Sequence, residues 1–160
     1  MNAPGTRALA LVCLLASGLQ AGTAPLFTLN NLDGSSFRLA DHMGKQIVVL
    51  DFWATWCGPC AKGLKQLQAL HERFPGIVVA AASIDDGQSL SRVAQYVQGR
   101  GFTFTVLLDP DTNALRLFNP SAGVPTTVII DRQGQVAYSH VGYLPGDEQA
   151  VADKVRELAP

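Results

Sequence analysis

Two predominantly apolar runs constrain this chain most: "IVVLDFW" at residues 47–53, broken only by Asp51, and "IVVAAASI" at residues 77–84, broken only by Ser83. Apolar side chains at successive positions, rather than alternate ones, mark strands covered on both faces, as in a parallel sheet lying between helices. Between the two runs, Leu64, Leu67, Leu70 and Phe74 recur at helical spacing within residues 57–74. Strand, helix and strand in that order predict a βαβ unit in an α/β fold.

The flanking sequence extends the unit. "LFTLNNLDGSSFRL" alternates on either side of Asp33-Gly34, a hairpin signal. Leu90, Val93, Ala94 and Val97 predict an amphipathic helix that Gly99 can close. Phe102, Phe104, Val106 and Leu108 alternate as a strand, and residues 115–118 suit a short helix. Residues 126–130 and 136–141 bracket "DRQG" as an antiparallel hairpin, and Val151, Val155 and Leu158 mark a closing helix. The expectation is a mixed central sheet with helices on both faces.

At 160 residues the chain suits one domain with a substantial core. A net charge of -1, with no basic block, gives no footprint for nucleic acid. Its beginning reads differently. Arg7 precedes an uncharged run at residues 8–19, followed by the small residues of "QAGTAP". Such a run is too short to span a hydrocarbon core of ~30 Å as a helix. It fits a secretory signal cleaved between Ala21 and Ala24, with an uncleaved anchor or a buried N-terminal helix as alternatives. The expected division is a leader at 1–24 and one domain at 25–160. Cys13 lies in the leader and is lost with it; its neighbours fit a lipid-attachment site poorly.

The remaining cysteines, Cys57 and Cys60, enclose Gly58-Pro59 where the first strand meets its helix. Unpaired N–H groups and the helix dipole stabilise a thiolate at such a junction, making Cys57 the attacking sulfur. Pro59 suits the first turn, where its missing N–H is not needed. Cys60, three residues on, is close enough to form a disulfide and more buried. A zinc site would need about four ligands. No second CxxC exists, and His42, His71 and His140 show no ligand spacing. A structural disulfide closing so small a loop would remove little unfolded-state entropy. Redox chemistry is favoured, because CxxC beside a βαβ pattern is a redox signature.

"VVLDFWATWCGPC" resembles the thioredoxin superfamily, and "GVPTTVIIDRQGQV" resembles its loop carrying a cis-proline before the last hairpin. The early hairpin and the additional helix and strand at residues 89–108 resemble the TlpA/ResA-like branch of exported thiol-disulfide oxidoreductases. The likeness covers about residues 26–158. It implies a thioredoxin fold with an N-terminal β-hairpin and a central α-β insertion. It also implies that Pro125 is cis, that Val124 offers its backbone to a substrate strand, and that Gly142 lets substrate approach. Trp56, Gly58 and Pro59 complete the expected substrate contacts. Trp53 is expected in the core.

Asp51 stands inside an otherwise apolar strand, where a carboxyl should stay neutral with a raised pKa. A group poised near neutrality can take the proton of Cys60 when that thiol resolves a mixed disulfide at Cys57. Thioredoxin has an aspartate at this place in the motif. Many TlpA/ResA-like proteins instead have asparagine there and a glutamate three residues after the second cysteine, where this chain has Gly63. The general acid/base is therefore expected to be Asp51. Thioredoxin's nearby lysine is replaced by Ala81, and a frequent helix-kinking proline by Lys65. "DPDTN" at residues 109–113 lacks the glycine and glutamate of a calcium loop and reads as a turn and helix cap.

The expected function is disulfide reduction on exported proteins, with the Cys57–Cys60 pair itself as the redox group and no metal or organic cofactor. The resemblance implies apocytochrome c or copper-site thiols as substrates and a membrane thiol donor of electrons, in the periplasm or an equivalent exported location. A monomer is expected. Disulfide oxidation or isomerisation is one alternative; copper handling through the same two thiols, without turnover, is another. Peroxidase chemistry would want an isolated activated cysteine, and the only isolated one is Cys13.

Overall fold

A computed structural model describes residues 22–159; the expectations for the leader and for Cys13 lie outside the described residues, apart from the leader's last three positions. A seven-stranded mixed sheet is built from β1 (Thr28–Asn31), β2 (Ser36–Arg38), β3 (Val48–Trp53), β4 (Val78–Ser83), β5 (Thr105–Leu108), β6 (Thr126–Ile130) and β7 (Val136–Val141). The order across the sheet is β2-β1-β5-β4-β3-β6-β7. β4 pairs parallel with both β3 and β5, while the β1–β2 and β6–β7 hairpins attach antiparallel at the two sides. Four helices cover it: α1 (Cys60–Arg73), α2 (Leu90–Gly99), α3 (Asn113–Phe118) and α4 (Asp147–Leu158).

β3 is buried at every position, as its sequence implies for a central strand with a layer on each side. Val49 and Trp53 join Leu64, Leu67 and Leu70 of α1, Val93 and Val97 of α2, and Val151 and Val155 of α4 in one core layer. Val48, Leu50 and Phe52 point the other way, into a layer with Ala114 and Leu115 of α3 and Phe37 of the first hairpin. Asp51 has the parity of Val49 and Trp53, so it faces the layer that α1 covers. The chain at residues 22–24 pairs with the β6–β7 turn through Thr23 and Gln135. Val136 N–H donates to the Gly22 carbonyl at 3.1 Å and Ala24 N–H to the Gly134 carbonyl at 2.8 Å.

Three boundaries differ from the periodicity. α1 starts at Cys60, because the Cys57 amide closes a turn onto the Ala54 carbonyl at 3.1 Å instead. α2 runs through Gly99 and is closed by Gly101, whose φ of 68° is the left-handed conformation this kind of helix end requires. Gly101 N–H then bonds the Gln98 carbonyl and Phe102 N–H the Val97 carbonyl. Phe102 is thereby tied to the helix end, and β5 begins only at Thr105. Asp109 is a helix cap, as its surroundings imply: its carboxylate accepts from Ala114 N–H at 3.1 Å and Leu115 N–H at 2.8 Å.

Candidate active site

The site is assembled at the end of β3. There the chain leaves the sheet, turns through Ala54 to Pro59 and enters α1. Cys57 and Cys60 form a disulfide with S–S 2.01 Å and Cα–Cα 5.4 Å. Cys60 is fully buried and Cys57 is 7% exposed, so only the first sulfur borders solvent. The Cys60 backbone N–H, first of the helix, points at Cys57 Sγ from 3.3 Å. A helix-terminal donor in that position stabilises negative charge on sulfur.

The residues expected to meet substrate differ in exposure and backbone geometry. Trp56 is 66% exposed, in contrast to the buried Trp53, which packs on Tyr96. The Val124–Pro125 peptide is cis. Among the described residues the Val124 backbone has no recorded hydrogen-bond partner, whereas the Pro125 carbonyl accepts from Gly142 N–H at 2.7 Å. A free backbone edge of this kind can take up an extended peptide. Gly142 has φ 92°, a conformation that favours glycine, and a Cβ there would meet nothing within 4 Å. Space for substrate is open on that side.

The loop bearing Cys57 is pinned from β4, and residue periodicity gave no sign of this. Asp85 is 4% exposed and its carboxylate accepts from Thr55 N–H (2.9 Å), Thr55 Oγ1 (2.5 Å) and Ser83 Oγ (2.7 Å). Thr55 stands two residues before the nucleophile. Replacing Asp85 with alanine strands three donors in a buried place. Asp85→Ala is expected to lower unfolding stability by about 2–3 kcal/mol and to loosen the loop. Denaturant melts would measure the first, and amide exchange at Thr55 and Trp56 the second.

Asp51 is 1% exposed. Thr127 Oγ1, directly across on β6, donates to its Oδ1 at 2.6 Å, while Oδ2 has no hydrogen-bond partner among the described residues. Burial raises the carboxyl from 3.8 to about 7, against the opposing effect of the Thr127 hydrogen bond. The side chain is therefore placed to exchange a proton near neutral pH. A narrow cleft reaches it, lined by Asp51, Gly63, Thr127, Tyr138, His140 and Asp147 among others. Gly63 lies one turn beyond Cys60, and a Cβ on it would meet nothing within 4 Å. The missing glutamate thus leaves room that no other side chain fills. α1 is continuous from Cys60 to Arg73, with Lys65 exposed on its outer face. Wider grooves elsewhere, such as that between residues 27–30 and 108–114, contain neither cysteine nor Asp51.

Thr127, Asp85 and His140 were not visible as site residues in the sequence. Each lies far along the chain from the thiols and is brought close by strand pairing. For Thr127, the one available signal is its place two residues after Pro125.

The AhpC/TSA family profile matches residues 21–139. A curated relative, "Thiol-disulfide oxidoreductase ResA" of Geobacillus kaustophilus (strain HTA426), is 33% identical over 114 residues. That alignment covers 71% of this chain and 64% of the relative, so the chain spans somewhat under two thirds of that protein's length. A Chlorobium tepidum protein whose solved structure is described as a "putative Thiol:disulfide interchange protein DsbE" superposes with TM-score 0.77 at 31% identity, over 86% of this chain and 96% of that one. A secreted thiol-disulfide isomerase from Corynebacterium glutamicum superposes with TM-score 0.73 at 26% identity, over 84% of each chain. With the profile spanning most of its length and the fold shared throughout, this chain belongs to the AhpC/TSA family and has a thioredoxin fold.

Proposed function

We propose that this protein is a thiol-disulfide oxidoreductase acting on the cysteines of exported proteins, in the reducing direction. The observation that carries the reading is the pair itself. Cys57 borders solvent beneath a helix-terminal N–H, and Cys60 is buried behind it, three residues on. Reduced Cys57 attacks a substrate disulfide and releases one substrate thiolate. Cys60 gives its proton to Asp51 and attacks Cys57 Sγ, which releases the second thiolate and closes the Cys57–Cys60 disulfide. Two electrons pass from the pair to the substrate sulfurs. The substrate's strand lies along Val124, and Trp56, Gly58, Pro59, Pro125 and Gly142 surround the attacked sulfur.

The relatives are named for the same chemistry, and one of the structural neighbours is secreted. Together with the leader-like start of the chain, this supports an exported, periplasmic location. The proposal includes a membrane thiol donor to re-reduce the pair, a role on cytochrome c or copper-site cysteines, and a monomer that needs no cofactor beyond its two thiols.

Direction rests on Gly58-Pro59, which places no cation between the cysteines to favour the thiolate form. The equilibrium potential against a glutathione or dithiothreitol series is expected below roughly -240 mV. A value above roughly -180 mV would make the protein an oxidant or isomerase instead. Stoichiometric Cu(I) binding without any reduction of insulin disulfides would favour the copper-handling alternative.

A further inference from the structure

Among the described residues, four buried side-chain polar atoms lack a hydrogen-bond partner. Two of them, Asp51 Oδ2 and His140 Nε2, belong to residues lining the same narrow cleft beside Gly63. Buried polar groups without protein partners are ordinarily satisfied by ordered water. The cleft has about 10 Å³ of room for a solvent molecule's centre, which is at the threshold for holding one water.

Strand pairing sets the two residues in line. Asp51 is opposite Thr127, and Thr127 is opposite His140, so the three side chains run across β3, β6 and β7 on one face. Two such steps separate the outer Cβ atoms by about 10 Å. The carboxyl and the imidazole thus stand at the two ends of one row on the same face of the sheet. At the outer end, His140 Nε2 lies 3.0 Å from Asp147 Oδ2 at the start of α4. That close contact holds the ring beside Asp147 without an aligned hydrogen bond, and Nε2 has no hydrogen-bond partner among the described residues.

Of the other groups facing the cleft, the two phenols hold their protons more tightly than usual. Burial and Asp147 raise the phenol of Tyr138 above its ordinary value. Tyr143 donates to Glu148 at 2.8 Å, and its phenol is likewise raised. Lys62 is 5.9 Å from the Tyr143 ring centre and does not line the cleft. Gln66 is neutral, and no lysine or arginine lines the cleft. An imidazole, by contrast, has two ring nitrogens, so one can accept a proton while the other donates one.

We propose that His140 is the proton relay of the site: one water held between Asp51 Oδ2 and His140 Nε2 carries the proton from the buried carboxyl to the imidazole, which Asp147 positions and which releases it to solvent. The inference rests on the reading of Asp51 as the acceptor of the Cys60 proton. In each turnover the Cys60 S–H bond breaks and its proton passes to Asp51, then through the water to His140. From there it returns to solvent, where the departing substrate thiolate is protonated. His140 touches no substrate and acts through Asp51.

The test is a single-turnover measurement on protein carrying a mixed disulfide between Cys57 and thionitrobenzoate. Release of the coloured thiolate reports the attack by Cys60. His140→Gln is expected to slow release about tenfold at pH 6–7 and to shift the pH profile. Asp147→Asn should slow it less, in the same direction. Added imidazole should restore the rate in His140→Ala. A His140→Gln, Asp51→Asn double variant should be no slower than Asp51→Asn alone, since both act on one route. Wild-type rates across the pH range in both His140→Gln and Asp147→Asn overturn the relay, as do multiplying effects in the double variant or a folded His140→Ala that imidazole does not rescue. Equal release rates in the wild type and Asp51→Asn would instead sink the assignment of Asp51 on which the relay depends.

Discussion

Cys60→Ser is expected to turn this protein into a trap. With Cys57 intact, the first attack proceeds and substrate becomes covalently joined, but no second thiol frees it. Non-reducing gels of the variant incubated with a disulfide-bearing protein should show a new linked species that dithiothreitol abolishes. Cys57→Ser should give no such species, because Cys60 is fully buried and cannot meet an external disulfide. Insulin reduction by Cys57→Ser should fall by on the order of 10³-fold or more, as when any single nucleophile is removed. The asymmetry between the variants is the informative result. Equal trapping by both would mean that Cys60 reaches solvent, and the assignment of attacker and resolver would be wrong. Absence of trapping in both, with copper retained by the reduced wild-type pair, would favour metal handling.

Asp51→Asn should separate stability from activity in opposite directions. In the folded protein the carboxyl holds its proton up to about pH 7 because burial disfavours the charge, whereas unfolded it ionises near 3.8. The proton-bound group thus contributes stability that is fully present below the unfolded value and is lost as pH rises through the folded one. That interval corresponds to roughly 4 kcal/mol at most. Asparagine keeps an oxygen to accept from Thr127 and carries no charge to bury. The variant should therefore match the wild type in stability near pH 4 and exceed it at pH 8, with Tm higher by about 2–4 °C for each kcal/mol gained. Over the same pH range the resolving step should slow by about 10²-fold, the usual scale for losing a positioned base. Denaturant unfolding at pH 4, 6 and 8 checks the first half and mixed-disulfide resolution the second. A stability difference that does not vary with pH would show that the carboxyl is already ionised in the native state. Unchanged resolution rates would remove Asp51 from the mechanism.

Much of this was legible along the chain. The apolar runs of β3 and β4 are continuous because both strands are central, and a strand with that pattern has few places to go. Asp51 stood out for the same reason: one carboxyl among buried neighbours announces an energetic cost that only a neutral, near-neutral-titrating group can bear. Element ends were less legible. The start of α1 and the end of α2 are decided by single hydrogen bonds, Cys57 N–H to Ala54 and Phe102 N–H to Val97, which periodicity does not record.

What the chain determined by itself is the local motif: two thiols three residues apart at a strand-to-helix junction and an acid in the strand that precedes them. These are local, because the spacing of a motif and the parity of a strand act over a few residues. What only the tertiary structure decided is the surroundings of that chemistry. Asp85 reaches Thr55 across thirty positions, Thr127 meets Asp51 across seventy-six, and His140 joins the row through a third strand. Antiparallel pairing sets such partners by register, and register depends on every residue between them. The cysteine pair is therefore readable from ten letters, while the partners of Asp51 depend on the whole sheet.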